Sequence, residues 1–125
     1  MCTIKGETIL YGIENINDKL DSIINELKLE KYIFEIKLII SEAITNAYIH
    51  GNKSDNKKPI NVSWVVENNN LCVQVKDSGE SKGKLLIGKS NDLLSESGRG
   101  LFIISAYTDE FYFENNTIIM KKSLT

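Results

Sequence analysis

At 125 residues the chain fits one compact domain, residues 1–125, and leaves no room for two cores of ordinary size, which excludes a multidomain enzyme. Hydrophobic residues make up 42% and charged residues 26%, with eight glycines and one proline, so the composition is that of a globular chain. Fifteen Lys and Arg against seventeen Asp and Glu give a net charge of −2, without the one-sided positive charge that drives phosphate-backbone binding, and direct contact with nucleic acid is not expected.

Thr8 to Tyr11 can form a short strand. Ile13, Ile16, Leu20, Ile23, Ile24 and Leu27 then recur at helical spacing, with Asn15 or Asn17 available as N-cap. A second helix is predicted from about Lys31 to Ile49, because Ile33, Ile36, Ile40, Ala43, Ile44 and Ala47 fall on one face, and Gly51 follows as a C-terminal stop. After the polar loop Asn52 to Pro59, two alternating runs, Ile60 to Val66 and Leu71 to Val75, predict a hairpin. Ser78 to Ser97 is polar and reads as a mobile lid. Gly98 to Tyr107 reads as a helix, and Phe111 to Phe113 with Ile118 to Met120 as a closing hairpin turned at Asn115-Asn116. This order predicts an α/β (α+β) two-layer sandwich, with helices on one face of a mostly antiparallel sheet.

Two cysteines, Cys2 and Cys72, make neither a disulfide framework nor a four-ligand metal site, and a reducing cytoplasm is the simplest compartment. No basic segment followed by an apolar run opens the chain, and the apolar runs are far too short to span a membrane.

Three features carry chemistry. Glu42 and Asn46 are four residues apart, so their side chains project about 40° apart on one side of the second helix, beside Leu38, Ile39 and Ile49. Alone, such a pair is more often a carboxylate and an amide bonded to each other on a helix surface. Asp77 continues the inward face of Leu71, Val73 and Val75 and is followed by Ser78-Gly79, which suits either a ligand acceptor at the sheet edge or an Asx turn. Gly98-Arg99-Gly100 directly precedes Leu101-Phe102-Ile103-Ile104, placing backbone N–H groups at a helix start, where an anion cradle and a plain glycine loop are about equally well supported. His50, the single histidine, ends the second helix and suits capping of its carbonyls. No serine has a His and an Asp to activate it, which argues against a hydrolase triad.

Taken in chain order, Glu42-Ala43-Ile44-Thr45-Asn46-Ala47-Tyr48-Ile49-His50-Gly51-Asn52, then Asp77-Ser78-Gly79, then Gly98-Arg99-Gly100-Leu101 resemble the N box and the two glycine boxes of the gyrase and histidine-kinase type of ATPase, the Bergerat fold. Within it the chain looks most like the anti-sigma factor serine/threonine kinases of Gram-positive bacteria. The resemblance implies a mixed, mostly antiparallel sheet, with ATP and Mg²⁺ as cofactors. It implies Asn46 as the Mg²⁺ ligand, Glu42 as the general base toward an attacking hydroxyl, and His50 as part of the nucleotide-binding box. Asp77 would accept the adenine amino group, Gly79 would let the backbone approach the base, and Gly83 would complete the first glycine box, separated from Gly79 by Glu80-Ser81-Lys82. Gly98, Arg99, Gly100 and Leu101 would hold the phosphates at a helix start, and Thr117 would assist adenine binding, with Asn116 where the family often has glycine.

The implied reaction transfers the ATP γ-phosphoryl group to a serine or threonine of a small anti-anti-sigma antagonist. The same protein would sequester a sigma factor, typically as a homodimer. The alternative is a non-catalytic, nucleotide-gated protein-binding module of the same fold. A detached sensor histidine kinase domain fits less well, since it lacks a partner helix with a phosphorylatable histidine and His50 lies inside the N box.

Overall fold

A computed structural model describes residues 3–29, 31–79, 84–86 and 99–125, with the backbone alone at 84–86 and 99. Strand β1 (Ile4–Tyr11) is followed by helices α1 (Ile16–Leu27) and α2 (Ile33–Asn46), then by a single π-helical turn, Ala47–Gly51. Strands β2 (Pro59–Glu67), β3 (Asn70–Lys76) and β4 (Lys84–Leu86) precede helix α3 (Arg99–Tyr107), and β5 (Glu110–Glu114) with β6 (Thr117–Ser123) ends the fold. The six strands form one sheet in the order β1-β2-β3-β6-β5-β4, and every pairing in it is antiparallel.

The alternation read from the sequence sets the two faces of this sheet. Ile60, Val62, Trp64 and Val66 on β2 and Leu71, Val73 and Val75 on β3 point inward and are buried, while Asn61, Val65, Gln74 and Lys76 between them are exposed. Against the inward face lie Leu20, Ile23 and Leu27 of α1, Ile36, Ile39, Ile40, Ala43 and Ile44 of α2, and Leu101 and Ile104 of α3. Each buried Leu or Ile among them contributes roughly 1.5–3 kcal/mol relative to an exposed position. Among the described residues no helix packs on the opposite face, where Lys5, Glu7, Ile9, Val65 and Gln74 are exposed.

Both hairpins turn where the sequence placed them. Asn68 and Asn69 adopt φ of 54° and 62° between β2 and β3, and Asn115 adopts 56° between β5 and β6, values that asparagine tolerates better than most residues. Asn15 precedes α1 as expected, but through its carbonyl, which accepts from the Lys19 N–H at 3.2 Å, and without a side-chain cap.

Four readings change. Strand β1 is twice as long as Thr8–Tyr11, because Ile4 and Gly6 continue the inward alternation with no apolar side chain at position 6 to signal it. Helix α2 opens at Ile33 after a left-handed Tyr32 (φ 65°), and Ile33 is 40% exposed instead of joining the core. Ile39, by contrast, is buried at 1%. Residues 84–86 within the expected lid form β4 on the edge of β5; of that lid, residues 80–83 and 87–98 lie outside the described residues. No helix among the described residues is long and apolar enough to cross a membrane.

Candidate active site

The C-terminal half of α2 organises the site. Glu42 and Asn46 are half-buried on it, Asn46 being its last α-helical residue. The chain then widens into the π-helical turn, where the Asn52 N–H donates to the Ala47 carbonyl at 2.8 Å. His50 lies in this turn with its side chain exposed to solvent, and Ile49 beside it is 46% exposed, so the surface around the Glu42–Asn46 pair is only partly covered.

Gly51 does not end the helix by a left-handed conformation; Gly12 is the glycine with positive φ among the described residues. Its contribution is a missing side chain. A Cβ on Gly51 would collide with the carboxylate of Asp77, and one on Gly79 would collide with the Gly51 carbonyl. The Asp77-Ser78-Gly79 segment therefore lies directly against the end of α2, a closeness that only paired glycines permit.

Asp77 is held from three sides. The Gly79 N–H donates to Asp77 Oδ1 at 2.8 Å, closing the Asx turn foreseen in the sequence. The Asp77 N–H donates to the Asn116 carbonyl at 2.9 Å, and Asn116 Nδ2 donates to the Asp77 carbonyl at 2.6 Å. Thr117 is the next residue and pairs with Lys76 across the β3–β6 ladder, so by register it shares the outward face of Lys76 and not the inward face that Asp77 continues.

Asn52 secures the same corner from below. It is the buried polar residue of the described chain, 0% exposed, and its Nδ2 donates to the carbonyls of Lys58 (3.0 Å) and Pro59 (3.3 Å) while its Oδ1 accepts from the Ser78 N–H at 2.7 Å. The Ser78 hydroxyl adds a bond to the Pro59 carbonyl at 2.8 Å. These bonds tie the α2 exit, the start of β2 and the residue after Asp77 into one unit.

Helix α3 brings the second glycine segment to the other half of the site. Gly100 sits opposite Glu42, whose Oε2 lies 3.5 Å from where a Cβ on Gly100 would be, so the start of α3 meets the carboxylate. Leu101 points away and is fully buried, so its side chain belongs to the core and only its backbone can face a ligand. Gly83 and Gly98 lie outside the described residues, as does the Arg99 side chain. Glu42 and Gly51 are nine residues apart, about two and a half turns or roughly 13 Å at α-helical rise, so one helical segment carries a carboxylate facing a helix N-terminus at one end and a glycine packed on Asp77 at the other.

Asn52 and Asn116 were given no role by sequence reasoning, since an asparagine after a helix or in a hairpin turn is ordinary. Their burial and partners are visible only in three dimensions.

Residues 14–122 match the profile of the histidine kinase-like ATPase domain. The chain belongs to that family. Named relatives include the anti-sigma F factor of Geobacillus thermodenitrificans, 32% identical over 118 residues that span 85% of this chain and 75% of the relative. The anti-sigma F factor of Geobacillus sp. (strain WCH70) is 32% identical over 73% of this chain and 69% of its own length. The serine-protein kinase RsbW of Listeria monocytogenes serotype 4b (strain F2365) is 29% identical over 72% of this chain and 65% of the relative. The α+β architecture seen here is that of this ATPase family, and its members use ATP.

Proposed function

We propose that this chain is an ATP-dependent serine/threonine protein kinase and anti-sigma factor that phosphorylates a small anti-anti-sigma protein, sequesters a sigma factor, and works in the cytoplasm as a homodimer. One observation carries the reading: Glu42 faces Gly100 at the start of α3, while Asp77 packs on Gly51 of the same helical segment. The names of the relatives, anti-sigma F factor and serine-protein kinase, supply the direction of the chemistry.

The residues fit a purine nucleotide. Asp77 accepts the exocyclic amine of the base, and the close Gly51–Gly79 approach holds the Asp77 segment against the end of α2. The triphosphate lies along α2 toward Gly100 and Arg99, whose backbone N–H groups open α3. A Mg²⁺ here would be held through the Asn46 amide oxygen, a hard donor of the kind this cation takes. When bound, the cation supplies neutralisation of charge on the phosphoryl oxygens.

Glu42 receives the proton of the acceptor hydroxyl as its oxygen bonds to the γ-phosphorus and ADP leaves. The test incubates the full chain with labelled ATP, Mg²⁺ and candidate antagonist proteins, beside Glu42→Gln. Transfer to a serine or threonine is expected from the native chain and a loss of about 10²-fold or more in the variant, with Mg·ATP affinity retained. Nucleotide binding without any transfer would instead select the nucleotide-gated binding module, and absence of nucleotide binding would end both readings.

A further inference from the structure

The β3–β6 ladder ends at the pair Lys76 and Thr117, yet Asp77 is still held as if one more rung existed. Its N–H donates to the Asn116 carbonyl at 2.9 Å, as a strand residue would, and its carbonyl accepts from Asn116 Nδ2 at 2.6 Å. The second bond comes from a side chain standing in for a backbone donor. A glycine or alanine at position 116 supplies only the first. With both peptide groups flanking the Asp77 Cα fixed, the direction of its Cα–Cβ bond is fixed, and the Gly79 N–H on Oδ1 at 2.8 Å then sets the rotation of the carboxylate.

The geometry points to Asn116 as a positioning residue for base selection: by clamping Asp77 to the β5–β6 hairpin, it sets how sharply the site prefers a purine carrying a 6-amino group. This inference rests on the nucleotide reading above. A carboxylate distinguishes an amine donor from a carbonyl or a hydrogen at the same position only if it is held in place, because a loose acceptor relaxes to accommodate either.

The experiment titrates the full chain with Mg·ATP, Mg·GTP and the triphosphate of purine riboside, which lacks the 6-amino group, and repeats each titration on Asn116→Asp and Asn116→Gly. Asp keeps the shape and replaces the donor by an acceptor; Gly keeps the backbone bond and suits a turn, so a folded variant is secured and checked by circular dichroism. The expected result is that ATP affinity falls about tenfold in both variants while affinity for purine riboside triphosphate stays within about twofold, so the preference for the amino group shrinks. Equal weakening of all three nucleotides would mean that Asn116 merely supports the fold, and an unchanged preference would mean that it does not act on Asp77; either overturns the proposal. If the native chain itself bound none of the three nucleotides, the nucleotide reading would fall, an outcome separate from a native chain that discriminates and variants that discriminate equally.

Discussion

Gly51 and Cys72 show how single positions set the chemistry available here. An added methyl at Gly51 has no space, since the Asp77 carboxylate occupies it, and the carboxylate cannot retreat without breaking its bond to the Gly79 N–H. Gly51→Ala is therefore expected to weaken Mg·ATP binding at least about tenfold and to lower stability by about 1–3 kcal/mol, read by calorimetry and urea unfolding. Cys72 lies on the other side of the sheet, half-buried, and burial pushes its thiol up from the ordinary range, with the Lys121 ammonium partly offsetting it. A folded value above the unfolded one means a stability contribution present at neutral pH and lost as pH rises through the folded value. In a Cys2→Ser background, alkylation of Cys72 by iodoacetamide at pH 8 should be slower than that of an unstructured cysteine peptide, and urea unfolding should return it to the peptide rate.

At the scale of elements, the corner between α2, β2 and β3 depends on Asn52. Asn52→Ala would leave the Ser78 N–H and the Lys58 and Pro59 carbonyls without this partner in a closed environment, at an expected cost of about 2–3 kcal/mol, visible as a lower urea midpoint with an unchanged slope. An equal midpoint would show that water replaces the amide without loss. The sequence disclosed α1, α2, α3 and both hairpins because their apolar residues repeat at 3.6 or 2, and it disclosed the three site segments because their residue types are unusual in that order. It did not disclose the first half of β1, where Lys5, Gly6 and Glu7 hide the alternation, or β4, whose three residues are too few for a period. The pairing of Gly51 with Asp77 and of Asn116 with Asp77 was hidden for another reason. Contacts between residues 26 and 39 positions apart depend on register, and hydrophobic pattern fixes register only through the finished sheet.

At the scale of the whole molecule, the three described helices all pack on one face of the sheet. On the other face Ile9 and Tyr11 of β1 are 50% and 63% exposed, while Val65 of β2, 36% exposed, stands opposite Lys5 and is separated from Ile9 by the Glu7–Ser63 pair. A homodimer built on this face would leave Glu42, on the helical side of the sheet, accessible. Ile9→Lys and Val65→Lys should each shift sedimentation from dimer to monomer while Mg·ATP affinity is retained, and a native chain that sediments as a monomer would dismiss the dimer.

Two of the strand pairings are tight turns, β2 with β3 and β5 with β6, whereas β3 meets β6 across about forty residues. β1 meets β2 across a comparable stretch, Tyr11 pairing with Pro59, so both are long ring closures, and doubling either would cost only about 0.6 kcal/mol more. Asp77 stands at the seam where the two halves join, fastened by Asn116 from the far hairpin. A ligand gripping Asp77 consequently acts as a latch on that seam, and saturating nucleotide should raise the urea midpoint by binding only the closed form.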